Sequence, residues 1–383
     1  PLATEIEAQT VAWIAELLGY PSDCGGLLVS GGNMANIVGL LAARKARLPG
    51  DVRAGGIPAA GGRPLRIYAS TEAHTWLQTA ADLVGVGTDS IAWIPTDAEL
   101  RLDLGALRER IREDEAAGAL PLAVVGSAGT VSTGAVDPLA ALVALTRERG
   151  IWLHVDGAYG GFAAAVSGAP QDLRALAEAD SVAVDPHKWL YAPLEAGCAL
   201  VRDRTLLRDT FTFRPPYYRF GAEEEEGEAP LNYFEYGPQN SRGFRALKVW
   251  LGLRQAGRSG AVRMIADDIA LAGELFRLAQ ADPELEARTT SLSITAFRFR
   301  PPELADGGEA AEAYLDELNA ELLDRLQAGG EAFVSNAVVG GRFLLRACIV
   351  NFRTTRPDLE ALVAVVKRLG RELDADLRPS GLG

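Results

Sequence analysis

Short apolar segments alternate with helical stretches from about residue 27 to residue 203, and this alternation restricts the possible folds more than any other feature of the chain. Such a pattern indicates an α/β fold with a mostly parallel sheet that is covered by helices on both faces. The seven predicted strands span residues 27–32, 66–70, 90–95, 122–129, 151–156, 181–186 and 197–203. Because too few residues for a crossover helix precede the last strand, we expect it to run antiparallel.

The remaining segments complete the predicted domain organisation. Residues 1–20 have the pattern of an amphipathic helix, and a large domain is predicted over residues 21–258. Within it, residues 214–236 show no periodicity and include the acidic run Glu223–Glu226, so we expect a solvated lid loop there. Residues 259–383 lack regular alternation and indicate a smaller α+β domain. Its predicted strands lie at 293–300 and 332–351, and its predicted helices at 310–327 and 357–374.

Charge and cysteine content narrow the class of protein. A net charge of -13 and a pI near 4.9 disfavour nucleic acid and anionic membrane surfaces, because binding to phosphate groups requires clustered Lys and Arg. The three cysteines, Cys24, Cys198 and Cys348, are widely spaced and form no CxxC motif, which is typical of reduced thiols in a cytoplasmic protein. The chain contains no apolar run of about 18 residues, so no transmembrane helix is predicted.

The residues at the carboxyl ends of the parallel strands are the candidates for chemistry, because ligands of open α/β sheets bind at that edge. The first strand ends in Ser30-Gly31-Gly32-Asn33, which opens a helix. Paired glycines and free helix N–H groups suit a phosphate, although the same pair also occurs in ordinary tight turns. The second strand ends near His74, which we expect in the first turn of the next helix.

The fifth and sixth strands end in the groups with the most reactive chemistry. The fifth ends in 154-HVDGAY-159, which places His154 and Asp156 on one face, and the sixth ends in 185-DPHK-188. One interpretation is a metal site formed by these two histidines and two aspartates. The adjacent lysine would repel a metal ion, and neither HxxxH nor HExxH spacing is present, so we expect no metal.

A second interpretation is a site for pyridoxal 5′-phosphate (PLP). Its parts are a buried Asp156, a Lys188 that follows 32 residues later, a phosphate-binding turn and a histidine ring that can stack on the cofactor. Lys188 would form a Schiff base with the cofactor, and Asp156 would keep the pyridine nitrogen protonated so that the ring accepts electrons. This interpretation explains why a lysine stands directly at the end of a buried strand.

Four segments resemble the group II PLP-dependent amino-acid decarboxylases, which include the aromatic-L-amino-acid and glutamate decarboxylases. The segments are GGNMANIVGLLAAR, HVDGAYGG, DPHKWLYAP and NSRGFRALKVW, in the order and spacing of that family. The resemblance covers nearly the whole chain. It implies the PLP fold type I, with a seven-stranded large domain, a small C-terminal domain and a homodimer whose active site lies at the subunit interface. Family members also carry a further N-terminal segment that clasps the partner subunit, and the sequence as given starts after it.

The resemblance implies a role for each matching residue. Lys188 would bond to PLP, Asp156 would pair with the pyridine nitrogen, and Ala158 would pack beneath the ring. His74 would stack on the other face and help to orient the substrate carboxylate. Thr130 would contact the cofactor oxygen or the surroundings of its phosphate.

A phosphate site is implied by the same resemblance. Gly32 and Asn33 would hold the phosphate, with Asp185 and His187 nearby, and Ser241 of the second subunit would complete the site. Several relatives have Asn at the position of Asp185. An acidic group near a phosphate requires a proton or a basic partner.

Tyr233 is predicted to act as a proton donor. Counted back from the SRGF segment, it matches the lid tyrosine that the family places over the cofactor. A tyrosine with a pKa of about 10 keeps its proton at neutral pH and can transfer it to the substrate Cα after carbon dioxide leaves. In the alternative interpretation, Tyr233 is only one of several lid aromatics, together with Tyr217, Tyr218, Phe234 and Tyr236.

The sequence therefore predicts a PLP-dependent decarboxylase that converts an L-amino acid into its amine and carbon dioxide. Aromatic residues near the site favour an aromatic substrate. They are Trp76, Tyr191, Tyr217, Tyr218 and Phe220. A decarboxylase for an acidic amino acid would need a dedicated arginine, for which Arg242 and Arg353 are the candidates. The same fold and cofactor also suit an aldehyde synthase, another carbon–carbon lyase such as a relative of sphingosine-phosphate lyase, or a non-enzymatic PLP-binding or dimerising protein.

Overall fold

The computed structural model describes residues 2–213, 231–305 and 308–382. The chain divides into two compact units. The first consists of Pro1–Ala128 and Val136–Ala261, and the second of Gly129–Ala135 and Val262–Gly383. Most of the predicted lid loop, including its acidic run Glu223–Glu226, lies outside the described residues.

The first unit contains the predicted seven-stranded sheet. Its strands are β1 (Gly25–Val29), β2 (Leu65–Ser70), β3 (Ile91–Ile94), β4 (Leu120–Ser127), β5 (Trp152–Asp156), β6 (Ser181–Val184) and β7 (Gly197–Val201). Their spatial order is β1-β7-β6-β5-β4-β2-β3. Strand β7 pairs antiparallel with both β1 and β6, whereas the other neighbours pair in parallel. The predicted reversal of the last strand is confirmed.

Three strands of this sheet are buried along their whole length. They are β1 (GGLLV), β6 (SVAV) and β7 (GCALV). Strands that are covered on both faces do not need to alternate apolar with polar residues, which explains their continuous apolar runs.

Helices of the first unit connect and cover these strands. They are α1 (Leu2–Leu18), α2 (Gly32–Arg47), α3 (Val52–Gly55), α4 (Trp76–Leu83), α5 (Leu104–Ala116), α6 (Leu139–Arg149), α7 (Pro186–Trp189) and α8 (Arg204–Phe211). Helix α2 lies against β5, β6 and β7. A Cβ atom on Gly39 of this helix would lie 2.5 Å from the ring of His154, so only glycine permits this close approach. Among the described residues, no helix has the length and hydropathy that crossing a membrane requires.

Helix α9 (Ala246–Ala281) leads from the first unit into the second. The sequence pattern predicts a helix that begins near Ser241, and the observed helix begins five residues later, at Ala246. At Gly257 the backbone leaves helical geometry, with φ 66° and ψ 170°. A positive φ of this kind costs glycine little, which accounts for the residue type at the break.

The second unit is built on an antiparallel sheet. Its strands are β8 (Leu285–Ser291), β9 (Ile294–Phe299), β10 (Ser335–Val339) and β11 (Arg342–Cys348), in the order β10-β11-β9-β8. Its helices are α10 (Gly308–Gly329) and α11 (Arg356–Leu377). Strand β8 was not predicted, because its sequence LEARTTS is mainly polar and only partly buried. Its main-chain pairing with β9 defines it instead.

Candidate active site

A lysine and an aspartate meet where β6 ends. Asp185 immediately precedes the single-turn helix α7, whose first residue is Pro186 and which contains Lys188. The Nζ atom of Lys188 lies 3.0 Å from Oδ2 of Asp185. The Asp185 side chain is only 2% exposed, whereas that of Lys188 is 41% exposed. The lysine therefore has a buried counter-ion and an accessible amine.

The turn between β1 and α2 lies against this pair. A Cβ atom on Gly32 would lie 2.7 Å from Oδ2 of Asp185, and one on Gly31 would lie 3.4 Å from Cε1 of His187. Gly31 has a φ of 148°, and a Cβ on Gly197 would lie 2.5 Å from the Gly31 backbone. The predicted phosphate turn and the end of β6 are therefore neighbours, and glycine is required for their close approach.

His187 supplies a second basic group beside Asp185. Its Nδ1 accepts a hydrogen bond of 3.1 Å from the backbone N–H of Ala196, so the proton of the neutral ring is on Nε2. Nε2 lies 3.6 Å from Oδ2 of Asp185, which is an electrostatic contact and too long for a hydrogen bond. The basic partners that an acid near a phosphate requires are thus present.

Asp185 itself remains incompletely satisfied. Burial raises its pKa above the ordinary value, and the charges of Lys188 and His187 partly offset that effect. Its Oδ1 atom has no hydrogen-bond partner within the described part of the chain. A buried oxygen without a partner is costly, which makes this atom a candidate contact for a bound group.

A second carboxylate stands at the end of β5, the strand next to β6. The indole N–H of Trp76 donates a hydrogen bond of 2.6 Å to Oδ2 of Asp156, and the backbone N–H of Ala158 donates one of 3.0 Å to Oδ1. Each oxygen therefore has one donor. Since a carboxylate offers about four acceptor positions, Asp156 can still accept a further donor.

His154 lies below Asp156 in a buried polar network. Its Nε2 lies 2.7 Å from Oδ1 of Asn36, and its Nδ1 lies 2.7 Å from Oγ of Ser181. Oγ of Ser181 also accepts the indole N–H of Trp152 at 2.8 Å, so its own proton is free for Nδ1. Burial lowers the pKa of His154 to about 4, and the nearby Asp156 acts in the opposite direction. The ring is therefore neutral and structural at neutral pH.

His74 is exposed just before α4, and not inside the first helical turn as predicted. Its Nδ1 accepts a hydrogen bond of 3.0 Å from the backbone N–H of Trp76. This contact fixes the ring and leaves Nε2 available for another partner.

The remaining predicted contacts lie in different surroundings. Asn33 is exposed in the first turn of α2, Ala158 is buried, and Ser241 is exposed before α9. Thr130 is buried within the second unit, and its hydroxyl lies 3.0 Å from that of Thr133. Only Ala158 among these four has a contact that ties it directly to the Asp156 carboxylate.

Tyr233 is buried in the core of the first unit, and its role as a proton donor stays a prediction. It is 8% exposed and begins a short 3-10 helix, Tyr233–Glu235. Its ring centroid lies 6.0 Å from that of Tyr236 and 5.3 Å from the guanidinium of Arg242. Burial raises the pKa of its hydroxyl well above the ordinary value. The other two tyrosines of the predicted lid aromatics, Tyr217 and Tyr218, lie outside the described residues.

One of the two candidate arginines for an acidic substrate, Arg242, is already paired with a carboxylate. Arg242 donates two hydrogen bonds, of 2.9 and 2.7 Å, to the carboxylate of Glu7, and both side chains are nearly buried. Arg353 belongs to the second unit and lies 5.6 Å from the ring centroid of Phe352. The positive charge of Arg242 is therefore already neutralised.

These residues fit PLP. Lys188 offers an accessible amine, Asp156 a carboxylate with spare acceptor positions, and the Gly31–Gly32 turn a helix N-terminus without a side-chain cap. The partnerless oxygen of Asp185 is a further polar contact. The sequence did not reveal the Trp76–Asp156 bond. The available signal was that Trp76 lies two residues after His74, a residue already predicted to belong to the site.

The chain was compared with known proteins. Residues 1–300 match the model of the pyridoxal-dependent decarboxylase conserved domain. The chain is 34% identical over 372 residues to an aromatic-L-amino-acid decarboxylase of Bacillus atrophaeus, covering 97% of this chain and 74% of that one. It is 30% identical over 358 residues to a phenylacetaldehyde synthase of a rose hybrid cultivar, covering 91% of this chain and 69% of that one.

A crystal structure of Oryza sativa TDC with PLP and tryptamine superimposes with a TM-score of 0.88 at 32% identity. That comparison covers 97% of this chain and 77% of the other. The predicted fold and cofactor are thereby confirmed. The chain belongs to the pyridoxal-dependent decarboxylase family, and it is a PLP-dependent carboxy-lyase.

Proposed function

We propose that this chain decarboxylates an aromatic L-amino acid to the corresponding amine and carbon dioxide. The observation that carries the proposal is the accessible amine of Lys188, 3.0 Å from a buried Asp185 that lies against the Gly31–Gly32 turn. A lysine held in this way is suited to covalent attachment of PLP, and the adjacent strand end supplies the second carboxylate, Asp156.

Different residues of the site would bind PLP and orient it. When bound, PLP supplies an electron-accepting ring that stabilises the negative charge left on the substrate Cα. Lys188 would bond to the cofactor, Asp156 would accept the pyridine N–H, and Ala158 would pack below the ring. Gly32, together with Asn33, holds the phosphate at the start of α2, where N–H groups are free.

Three further side chains complete this arrangement. His74 would cover the other face of the ring and orient the substrate carboxylate, a role supported by its exposed, backbone-anchored ring. Asp185 and His187 lie beside the phosphate turn. Thr130, and Ser241 of a second subunit, are assigned to the cofactor surroundings from the family resemblance alone.

An aromatic substrate is supported by two independent observations. The ion pair with Glu7 leaves no free charge on Arg242 for the side chain of glutamate or aspartate. The relatives include the aromatic-L-amino-acid decarboxylase of Bacillus atrophaeus and a tryptophan decarboxylase of Oryza sativa, the latter 33% identical over 363 residues. Trp76 and the other site aromatics do not decide the question, because the indole of Trp76 is bound to Asp156.

The second candidate is an aldehyde synthase, since the rose phenylacetaldehyde synthase covers 91% of this chain. The two activities consume the same substrate and release different products. An aldehyde synthase also consumes oxygen and releases ammonia and hydrogen peroxide.

Product analysis tests both candidates. The PLP-loaded protein is incubated separately with each of the twenty amino acids, and carbon dioxide, amine, aldehyde and peroxide are measured. We expect carbon dioxide and amine in equal amounts from tryptophan, tyrosine or phenylalanine, without peroxide. Peroxide in equal amount to carbon dioxide would identify an aldehyde synthase, and turnover of glutamate or aspartate alone would refute the aromatic assignment.

A homodimer in the cytoplasm is the proposed working form. The family resemblance supports the dimer, and the three free cysteines support a reducing compartment. Sedimentation of the PLP-loaded protein tests the first part, and a monomeric mass with full activity would contradict it.

A further inference from the structure

Trp76 makes the shortest hydrogen bond to the Asp156 carboxylate. Its indole N–H donates to Oδ2 at 2.6 Å, across 80 residues of sequence. Trp76 is 2% exposed and is the first residue of α4, packed in the core of the first unit. Its ring meets that of His154 nearly at right angles, with centroids 5.8 Å apart. The indole is therefore held in one orientation by its surroundings.

Asp156 has one donor on each oxygen, and the two donors restrict it together. Trp76 binds Oδ2, and the backbone N–H of Ala158 binds Oδ1. Rotation of the carboxylate would break both bonds at once.

We propose that Trp76 is a positioning residue that holds the Asp156 carboxylate in a fixed plane to receive the pyridine N–H of PLP. This inference rests on the proposed role of Asp156 in the function above. Trp76 also donates its backbone N–H to Nδ1 of His74, so one residue orients two of the proposed cofactor contacts. Neither effect requires Trp76 to touch the cofactor.

Trp152 provides a matched control for packing. It is 6% exposed, and its indole N–H donates to Oγ of Ser181 at 2.8 Å. Ser181 in turn contacts His154, the same ring that Trp76 packs against. Replacement of either tryptophan by phenylalanine removes one buried indole and one hydrogen bond, but only Trp76→Phe removes a donor from Asp156.

The affinity of the cofactor-free protein for PLP distinguishes positioning from packing. A hydrogen bond to a charged group contributes roughly a factor of ten or more in an equilibrium constant. We expect Trp76→Phe to raise the Kd for PLP about tenfold or more and to change the absorbance of the bound cofactor, which reports on ring protonation. Trp152→Phe should stay within about twofold of the wild type in Kd, with an unchanged spectrum. Equal losses in the two variants would overturn the proposal.

A double-mutant cycle with Asp156→Asn tests whether Trp76 acts through the carboxylate. We expect Trp76→Phe to have little further effect on the Kd in the Asp156→Asn background. The same tenfold loss in that background would refute the proposal. Thermal melts of the cofactor-free variants verify folding, and if Trp76→Phe does not fold, Trp76→Met, which also lacks the N–H donor, replaces it in the same cycle. A wild-type protein that does not bind PLP would instead refute the proposed function.

Discussion

Each of the two units contains a buried charged cluster, and the clusters differ in the sign of the charge that is buried and in the kind of group that stays accessible. In the second unit, Arg298 of β9 is 0% exposed and lies 2.6 Å from Glu286, 2.7 Å from Glu312 and 3.6 Å from Asp316. Three carboxylates surround one cation. The guanidinium itself is closed to solvent, whereas the carboxylates of Glu312 and Asp316 are 32% and 33% exposed. The Nη1 atom of Arg298 has no hydrogen-bond partner within the described residues.

In the first unit the buried charge is the carboxylate of Asp185, and only one of its two oxygens has polar partners. Asp185 has an amine at 3.0 Å and an imidazole at 3.6 Å on one oxygen, and no hydrogen bond on the other. Its main partner, Lys188, is 41% exposed. The accessible group of this cluster is therefore an amine that can form a covalent bond, whereas the accessible groups around Arg298 are carboxylates.

The largest expected effect is the loss of activity in Lys188→Ala. Because the amine is the proposed point of cofactor attachment, we expect turnover to fall by at least about a thousandfold and borohydride reduction to fix no PLP to the protein. Lys248→Ala is the control, since Nζ of Lys248 binds only the backbone carbonyls of Leu194 and Glu195. A reducible PLP adduct on Lys188→Ala with normal turnover would assign the chemistry to another amine.

Arg298→Leu is expected to lower the free energy of unfolding and to leave PLP binding unchanged. Removal of the cation leaves three carboxylates near one another, and breaking a buried ion pair costs about 3–5 kcal/mol. Urea denaturation measures this loss, and the PLP affinity of the folded protein should not change. Arg368→Leu is the control, because its pair with Glu331 is 46% and 51% exposed and should contribute less than about 1 kcal/mol. Equal losses in both variants would show that the buried Arg298 cluster contributes no more to the free energy of unfolding than an exposed ion pair.

His154 makes the free energy of unfolding depend on pH. Burial lowers its folded pKa to about 4, below the unfolded value of about 6.5. Its contribution is therefore fully present above pH 6.5 and is lost as the pH falls toward 4. Between pH 7.5 and pH 5, we expect the wild type to lose about 2 kcal/mol of unfolding free energy through this group. His154→Gln should lack that part of the loss, and identical pH dependence in both proteins would contradict the neutral assignment.

Asp185→Asn is expected to have the smallest effect on stability. Burial raises the folded pKa of Asp185, so its contribution to stability is present below an unfolded pKa of about 4 and is lost as the pH rises through the folded value. Asparagine does not ionise, so the variant should be more stable than the wild type at pH 8, and by a smaller margin at pH 5. Denaturation at the two pH values measures the difference. A variant that is less stable at pH 8 would show that the ion pair with Lys188 outweighs the burial.

The sheet and the strand-end residues could be predicted from the sequence because both depend on local patterns. Strand spacing indicated the reversed β7, and the positions of Asp156 and Lys188 followed from the strand ends. Strand β8 could not be predicted in this way, because its polar residues have a strand structure only through pairing with β9.

Contacts between distant residues were also beyond the sequence patterns. The bond between Trp76 and Asp156 spans 80 residues, and the one between Glu7 and Arg242 spans 235. The buried position of Tyr233 is linked to the second of these, since Arg242 lies over its ring. Propensity and periodicity act over a few residues, so they do not report such partners.

The contact between Gly39 and His154 has a consequence for how this enzyme tolerates sequence change. Helix α2 begins at the phosphate turn, and Gly39 lies seven residues further along, about 10 Å away at 1.5 Å per residue. A helix of this length moves nearly as a rigid rod, so an added methyl group at Gly39 would push the whole rod from the sheet and shift Gly32 with it. Substitution of Gly39 would then weaken cofactor binding, although Gly39 is remote from the proposed cofactor site. A list of the residues that contact the cofactor would not include it.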